Sequence, residues 1–278
     1  MPARNGGPAE ASEAAAPAEP QEASGWRFDL ACGHRAMTTT GGSTWAAAYL
    51  LADFLESGWT ELGLGAGSRV MELGSGTGWL GLTLARNRPE LGELVLTEQG
   101  EGGAMEWLDD NVREQREAGL ALANLRTQEL DWLDWAGEEG DARAGAVRPP
   151  QRHGSEVEGG RWDLLLGSDL VYNETGVRLL PRVVRGLLET SSCGMLYAHT
   201  LHRFDHFDLD FFGELRAQGL QYRLVAWDGA QGGAPGDPLD EDGFLEELFP
   251  EQRIGIFQLL PSAAGPLSLQ PRPVRSVA

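Results

Sequence analysis

Residues 70–78 read V-M-E-L-G-S-G-T-G, an apolar run that ends in an acid and is followed by glycine at every second position. Glycine lets the backbone take positive φ and lets a ligand approach the main chain closely. The flanks support this interpretation, because 69–73 predicts a short buried strand and 79–88 predicts a helix closed by Pro89. The stretch therefore predicts a strand-to-helix turn that binds a nucleoside.

A second predicted strand, 93–97, ends at Glu98, whose carboxylate could accept hydrogen bonds from both hydroxyls of a ribose. Residues 76–81 also spell the dinucleotide fingerprint G-x-G-x-x-G, which by itself is a weak signal. A nicotinamide-dependent oxidoreductase is therefore an alternative. Against it, the chain contains no lysine and so lacks the Tyr-x-x-x-Lys pair that such enzymes can use.

Strands and helices alternate along the core of the chain, which predicts an α/β fold. The strand covering 162–168 is almost continuously apolar, as expected for a strand buried on both faces. We expect a doubly wound, Rossmann-like, seven-stranded and mostly parallel sheet with helices on both faces. Ligands bind beyond the carboxyl ends of the strands in such sheets. The predicted strands are 69–73, 93–97, 125–130, 162–168, 194–198, 221–227 and 253–260.

Composition divides the chain into one domain with extensions. Residues 1–24 are rich in Ala, Pro and Glu and predict a disordered low-complexity tail. The domain is expected over 25–262, with loop insertions at 136–160 and 228–250. Residues 263–278 are expected to form a flexible C-terminal tail.

The net charge of −20 argues against a nucleic-acid partner, which would need clustered Lys and Arg. Eight carboxylates and no basic residue lie between Asp228 and Glu251. This segment could attract a basic protein partner or could simply keep a loop solvated. No run of 18 apolar residues exists, so no membrane partner is expected. We expect a monomer in the cytoplasm, with the nucleus as a second possibility.

No metal site is predicted. Cys32 and Cys193 are far apart in sequence and match no metal or redox spacing. A cluster of acids and histidines has a spacing that could suit a metal ion, but the polar start of a helix explains it better. From their position after a predicted strand, His199 and Arg203 could line a substrate entrance. The cluster is His199, His202, Asp205, His206 and Asp208.

Side chains at four predicted strand ends should face one crevice. They lie at 72–74, at Glu98, at 131–132 and at 168–172. In the third group, the indole of a tryptophan could cover an adenine, and the neighbouring carboxylate could accept from its exocyclic amine. The local repeat L-D-W-L-D-W leaves Trp135 as an alternative for the indole. Together these groups suggest a site for adenosine plus a reactive group.

At these positions the chain resembles the seven-β-strand S-adenosylmethionine-dependent methyltransferases. The matching motifs are E-L-G-S-G-T-G at 72–78, L-T-E at 96–98, L-D-W at 130–132 and D-L-V-Y at 169–172. More narrowly, G-G-S-T-W-A-A at 41–47 resembles the G-x-x-x-W-x-A motif of the family-16 group, which contains many protein-lysine methyltransferases. The resemblance covers most of the chain between Gly33 and Leu260.

The resemblance implies S-adenosylmethionine as cofactor, no metal, and a set of contacting residues. Those implied to touch the cofactor are Trp45, Gly74, Ser75, Gly76, Glu98, Trp132 and Ser168, and the motifs add Glu72, Gly78 and Asp131. Asp169 and Tyr172 match the acid–aromatic motif that flanks the target amine, so they are the predicted catalytic residues. The family usually places Asp where this chain has Glu98.

The expected activity is methyl transfer to a lysine side chain of a protein substrate, possibly a basic one. Asp169 would orient the amine by a charge-assisted hydrogen bond, and Tyr172 would offer a ring face to the cationic product. Two alternatives remain besides the oxidoreductase. One keeps the fold and cofactor but methylates another protein side chain or a small molecule, and the other is a non-catalytic acidic adaptor.

Overall fold

The computed structural model describes residues 25–35, 40–136, 161–188, 194–203, 207–229, 233–239, 252–262 and 269–274. These residues form an α/β fold with one sheet, as the sequence predicts. The predicted N-terminal tail, residues 137–160 of the first predicted insertion and residues 240–250 of the second lie outside the described ranges.

The sheet has eight strands in the order β3-β2-β1-β4-β5-β7-β6-β8. The first five in this order run parallel, β7 is antiparallel to both of its neighbours, and β8 is parallel to β6. The predicted mostly parallel sheet is therefore confirmed. The strands are β1 Arg69–Leu73, β2 Glu93–Glu98, β3 Leu125–Glu129, β4 Leu164–Ser168, β5 Met195–Leu201, β6 Leu220–Asp228, β7 Arg253–Pro261 and β8 Arg272–Val274.

The described part of the chain contains six α-helices. They are α1 Ala46–Gly58, α2 Trp79–Asn87, α3 Ala104–Glu117, α4 Trp132–Ala136, α5 Glu174–Leu188 and α6 Phe207–Ala217. Helix α5 continues through Pro181, and its buried apolar residues lie on both sides of the proline. No helix within the described ranges combines the length and the hydropathy needed to cross a membrane.

Each central strand contributes to two separate hydrophobic cores. In β1, Val70 packs into the core beneath α1, α2 and α3, whereas Met71 packs into the core beneath α5 and α6. The same alternation recurs in β4, where Leu164 and Leu165 point to opposite cores. Successive strand side chains point to opposite faces, so this pattern requires helices on both sides of the sheet.

The strand order reverses beside β1. From β1 the chain moves outward through β2 to β3, and then returns to place β4 on the other side of β1. The connections after β1 and β4 therefore diverge, and they leave a crevice at the carboxyl ends of these two strands. The fold thus opens a binding site at the end of the sequence stretch that carries the glycines.

The eighth strand corrects the prediction of seven strands and of a flexible tail over 263–278. β8 pairs with β6 within that segment, and Leu269 and Val274 are buried in the core beneath α1. A three-residue strand has too short a pattern to be recognised from sequence periodicity. Its position depends on the burial of Leu269 and Val274 against α1, which is distant in sequence.

We predict that Leu269→Ala lowers the free energy of unfolding by roughly 2–5 kcal/mol, because Leu269 is only 2% exposed and its truncation leaves a cavity. Urea denaturation measures this. The control is Leu133→Ala, since Leu133 is 58% exposed and should change stability by less than about 0.5 kcal/mol. Equal effects of the two substitutions would contradict the packing of the C-terminal segment.

Candidate active site

A cleft lies at the carboxyl ends of β1, β2 and β4, with about 1030 Å³ of empty volume open to solvent. Nearly all the predicted site residues line this cleft. They are Trp45, Glu72, Gly74, Ser75, Gly76, Glu98, Asp131, Trp132, Ser168, Asp169 and Tyr172.

The glycine turn forms the floor of the cleft, and two of its glycines have no room for a side chain. Gly74 and Gly76 both have φ of 55°, in the left-handed region. A Cβ on Gly74 would lie 2.6 Å from Leu170 Cδ2, and one on Gly76 would lie 3.2 Å from the carbonyl oxygen of Gly41. Both glycines line the cleft, so the backbone of the turn borders the space that a ligand would occupy.

Gly78 is the predicted cofactor-binding residue that the structure does not bring to the cleft. It caps the start of α2 with φ of 77°, and a Cβ there would meet Leu108 of α3 at 2.6 Å. Its glycine is needed for the turn and for close helix packing. The every-second-residue pattern gives the same signal for both roles, which is why the sequence did not separate them.

The carboxylate of Glu98 connects the end of β2 to the glycine turn. Its Oε1 accepts the backbone N–H of Gly76 at 3.0 Å, and its Oε2 accepts that of Gln99 at 2.8 Å. Burial raises the pKa of Glu98, and these two hydrogen bonds act in the opposite direction. Each oxygen still has a lone pair for a ligand hydroxyl, so the longer Glu side chain can serve where the family usually has Asp.

Glu72 is the most deeply buried acid of the cleft. Burial raises its pKa to about 8, with a smaller contribution from the negative charge of Glu98. Its Oε2 is buried and has no hydrogen-bond partner among the described residues. Such an unsatisfied polar atom is costly unless something pairs with it. Glu72 is therefore a buried polar group that a ligand in the cleft could satisfy.

Trp45 stands at the rim, immediately before α1. The helix begins at Ala46, and Trp45 is its extended N-cap residue. The indole is 41% exposed and donates its N–H to the carbonyl of Thr40 at 3.2 Å. The Thr44 hydroxyl meets that of Thr77, which ties this segment to the glycine turn.

Asp131 and Trp132 begin α4 on the opposite wall. Asp131 Oδ1 accepts the backbone N–H of Leu133 at 2.8 Å, which fixes the start of this short helix. The half-buried Trp132 lines the cleft, with its Cζ2 4.0 Å from the Cβ position of Gly74. Trp135 is buried in the core beneath α5 and is not a lining residue. Of the two tryptophans that the L-D-W-L-D-W repeat leaves open, Trp132 is the one that lines the cleft.

Asp169 follows Ser168 at the end of β4 and has φ of 50°, which Asp tolerates better than most residues. Its carboxylate already has protein partners. Oδ1 accepts the backbone N–H of Thr200 at 2.8 Å, and Oδ2 accepts the Thr200 hydroxyl at 3.0 Å. Arg203 places Nη1 3.0 Å from Oδ2. The sequence predicts that this carboxylate orients the target amine, and the structure shows that it is already paired with Thr200 and Arg203.

A buried hydrogen-bond chain supports the segment after Asp169. The hydroxyl of Tyr197 accepts the N–H of Leu170 at 3.2 Å and lies 3.0 Å from His199 Nδ1, while His199 Nε2 lies 2.7 Å from Asp208 Oδ1. Burial raises the pKa of Tyr197, which keeps the hydroxyl protonated. His199 is therefore a core residue and does not line a substrate entrance, in contrast to the expectation from its position.

The sequence analysis missed several residues that line the cleft or contact one of its lining residues. Thr200 and Arg203 were not connected to Asp169, because their contacts depend on how the chain turns after β5. Asn173, which caps α5 by accepting the N–H of Gly176 at 2.8 Å, could have been found from its place before a helix. The other lining residues outside the predicted set include Ser43, Thr77, Gln99, Leu133 and Thr175.

We predict that Glu72 makes the protein less stable as pH rises. Glu in an unfolded chain titrates near about 4.3, so between that value and about 8 the folded state binds more protons than the unfolded state. The contribution of Glu72 to the free energy of unfolding should be greatest below a pH of about 4.3. It should fall by on the order of a few kcal/mol as the pH rises to about 8, and remain constant above that pH. Urea denaturation across this range measures the slope.

Glu72→Gln should remove most of this slope, whereas the exposed Glu117→Gln should leave it unchanged. A Glu72→Gln protein with the wild-type pH dependence would show that Glu72 is ionised in the folded state, against the burial argument.

Comparison with known proteins shows that this chain is similar to lysine methyltransferases. The family model described as lysine methyltransferase matches residues 28–143. Protein N-lysine methyltransferase METTL21A of Danio rerio is 38% identical over 130 residues, which cover 47% of this chain and 47% of the relative. EEF1A lysine methyltransferase 3 of Mus musculus is 29% identical over 206 residues, which cover 71% of this chain and 75% of the relative. The chain thus spans about half the length of the first of these relatives.

Among solved structures, precorrin-6y C5,15-methyltransferase of Geobacter metallireducens GS-15 aligns with a TM-score of 0.43 at 10% identity, covering 80% of this chain and 93% of that chain. The family model and the two relatives agree with the resemblance that the motifs predict. The match to the lysine methyltransferase model covers residues 28–143, which include Trp45, the glycine turn and Glu98.

Proposed function

We propose that this protein is an S-adenosylmethionine-dependent methyltransferase that modifies a lysine side chain of a protein substrate. One observation carries the proposal. The glycine turn, Glu98 and the 169–172 motif converge on a single cleft in a chain whose first half matches the lysine methyltransferase family. Both relatives are named as lysine methyltransferases, which supports lysine as the acceptor.

The residues of the cleft fit the cofactor. At the floor of the cleft, Gly74 and Gly76 have no side chain that would keep a ligand away from the backbone. The carboxylate of Glu98 can still accept hydrogen bonds from the hydroxyls of a ribose. The ring of Trp132 could pack against an adenine. Glu72 supplies a buried polar atom that lacks a partner. Once bound, S-adenosylmethionine supplies an electrophilic methyl group attached to a cationic sulfur.

The protein's own contribution to transfer is alignment and control of charge. Holding two reactants in a good geometry can contribute on the order of 7–11 kcal/mol to lowering the barrier. A lysine has an ordinary pKa near 10.4 and must lose its proton before its nitrogen can attack. Partial burial between the cleft walls favours the neutral amine. Tyr172 lines the cleft and would present its ring to the methylated, cationic product.

The hydrogen bonds that Asp169 accepts from Thr200 indicate that its role is to orient the target amine. Thr200 donates one hydrogen bond to each oxygen of this carboxylate and so holds it in one position, which suits it to orient an amine rather than to remove its proton. The carboxylate can still offer its remaining acceptor capacity to an amine hydrogen. The net charge of −20 further favours a basic acceptor protein, because the overall field would attract it.

The direct test is methyl transfer from isotopically labelled S-adenosylmethionine to the proteins of a cell extract, followed by mass spectrometry of the modified residues. The chain contains no lysine, so a tag-free protein cannot contribute methyl-lysine by modifying itself. We expect label on lysine of an extract protein. Label confined to arginine, histidine or small molecules would overturn lysine as the acceptor but would still support methyltransferase activity.

We predict that Asp169→Asn lowers the rate of methyl transfer by about 100-fold, because a small misplacement of the amine is enough to cause such a loss. The affinity for S-adenosylmethionine, measured by calorimetry, should remain near that of the wild type. Asp210→Asn on the exposed side of α6 is the control and should retain full activity. An equal loss of rate and cofactor affinity in Asp169→Asn would contradict the assignment.

A further inference from the structure

The guanidinium of Arg203 is held by three groups at the edge of the cleft. Its Nη1 lies 3.0 Å from Asp169 Oδ2, and its Nη2 donates to the Thr200 hydroxyl at 3.0 Å. Its Cζ lies 5.0 Å from the centroid of the Trp45 ring. A cation therefore sits between a carboxylate, a hydroxyl and an indole face.

Two of these groups belong to the cleft itself, because Asp169 and Trp45 both line it. The side chain of Asp169 is 3% exposed and that of Arg203 is 20% exposed, so Arg203 shields the carboxylate while remaining accessible. Carboxylates and aromatic faces are also the groups that bind an alkylammonium ion. Arg203 thus occupies a position whose chemistry suits the side chain of lysine.

We propose that Arg203 is a specificity-determining residue of the acceptor site, whose guanidinium holds the position between Asp169 and Trp45 until a cationic side chain of the acceptor protein replaces it. This inference rests on the proposed function, since it concerns the acceptor of the methyl group. Binding of the acceptor is then an exchange of one cation for another.

The exchange discriminates between acceptors by charge. Displacing Arg203 by a neutral side chain would leave the shielded carboxylate of Asp169 without a cation, and an uncompensated buried charge is costly. A lysine replaces the lost ion pair and the lost contact with the indole, so the cost is offset only for a cationic acceptor. The site rejects uncharged side chains by this unpaired charge rather than by their shape.

We predict that Arg203→Met strengthens binding of Nα-acetyl-lysine amide about tenfold, because the competing cation is gone. Calorimetry or NMR titration measures the affinity. Binding of Nα-acetyl-norleucine amide, which lacks the amine, should not improve in this variant. Arg203→Lys keeps a cation and should resemble the wild type, as should Arg113→Met on the exposed face of α3.

Unchanged or weaker binding of the lysine amide to Arg203→Met would overturn the proposal and leave Arg203 with a structural role. Thermal unfolding and the affinity for S-adenosylmethionine show whether this variant is folded. A folding defect does not end the test, since the exchange can also be followed in the wild-type protein.

In the wild type, phenylglyoxal labelling mapped by peptide mass spectrometry reports whether the guanidinium of Arg203 is free. We expect the lysine amide to accelerate labelling of Arg203 while the norleucine amide does not, with Arg113 as the internal reference. No acceleration would overturn the proposal. Neither experiment reads methyl transfer, so failed exchange with intact transfer rejects this inference alone, whereas intact exchange without transfer rejects the proposed function.

Discussion

The arrangement of the cleft depends on the left-handed backbone at Gly74 and Gly76. This conformation lets the chain leave β1 at the point where the strand order reverses, and it brings the Gly76 amide within 3.0 Å of Glu98 Oε1. The carbonyl of Gly41 then approaches the same turn closely, which places Trp45 at the rim. A side chain at either glycine would push apart the segments that form the walls.

Charge within the cleft is arranged unevenly. Glu72 is buried with a pKa raised to about 8, so it is mostly uncharged at neutral pH, and Asp169 is the ionised member of an ion pair with Arg203. Glu72 Oε2 lacks a hydrogen-bond partner among the described residues, whereas the carboxylate of Asp169 is already paired with Arg203.

Much of this site follows from the sequence because the carboxyl ends of parallel strands meet at one edge of the sheet. Glu98, Trp132 and Asp169 could be brought together on that ground alone. The partners of Asp169 could not, since Arg203 reaches it through a turn after β5 that carries no local pattern. Strand β8 was missed for a related reason, because its position is set by long-range burial of Leu269 rather than by alternation.

The central claim is that the cleft holds an adenosyl sulfonium. A calorimetric titration of the purified protein with S-adenosylmethionine, with NADH as the comparison ligand, tests it most directly. The account predicts saturable binding of S-adenosylmethionine to a single site, weakened by Glu98→Ala, and no binding of NADH. Binding of NADH in place of S-adenosylmethionine, or no binding of S-adenosylmethionine by the folded protein, would contradict it.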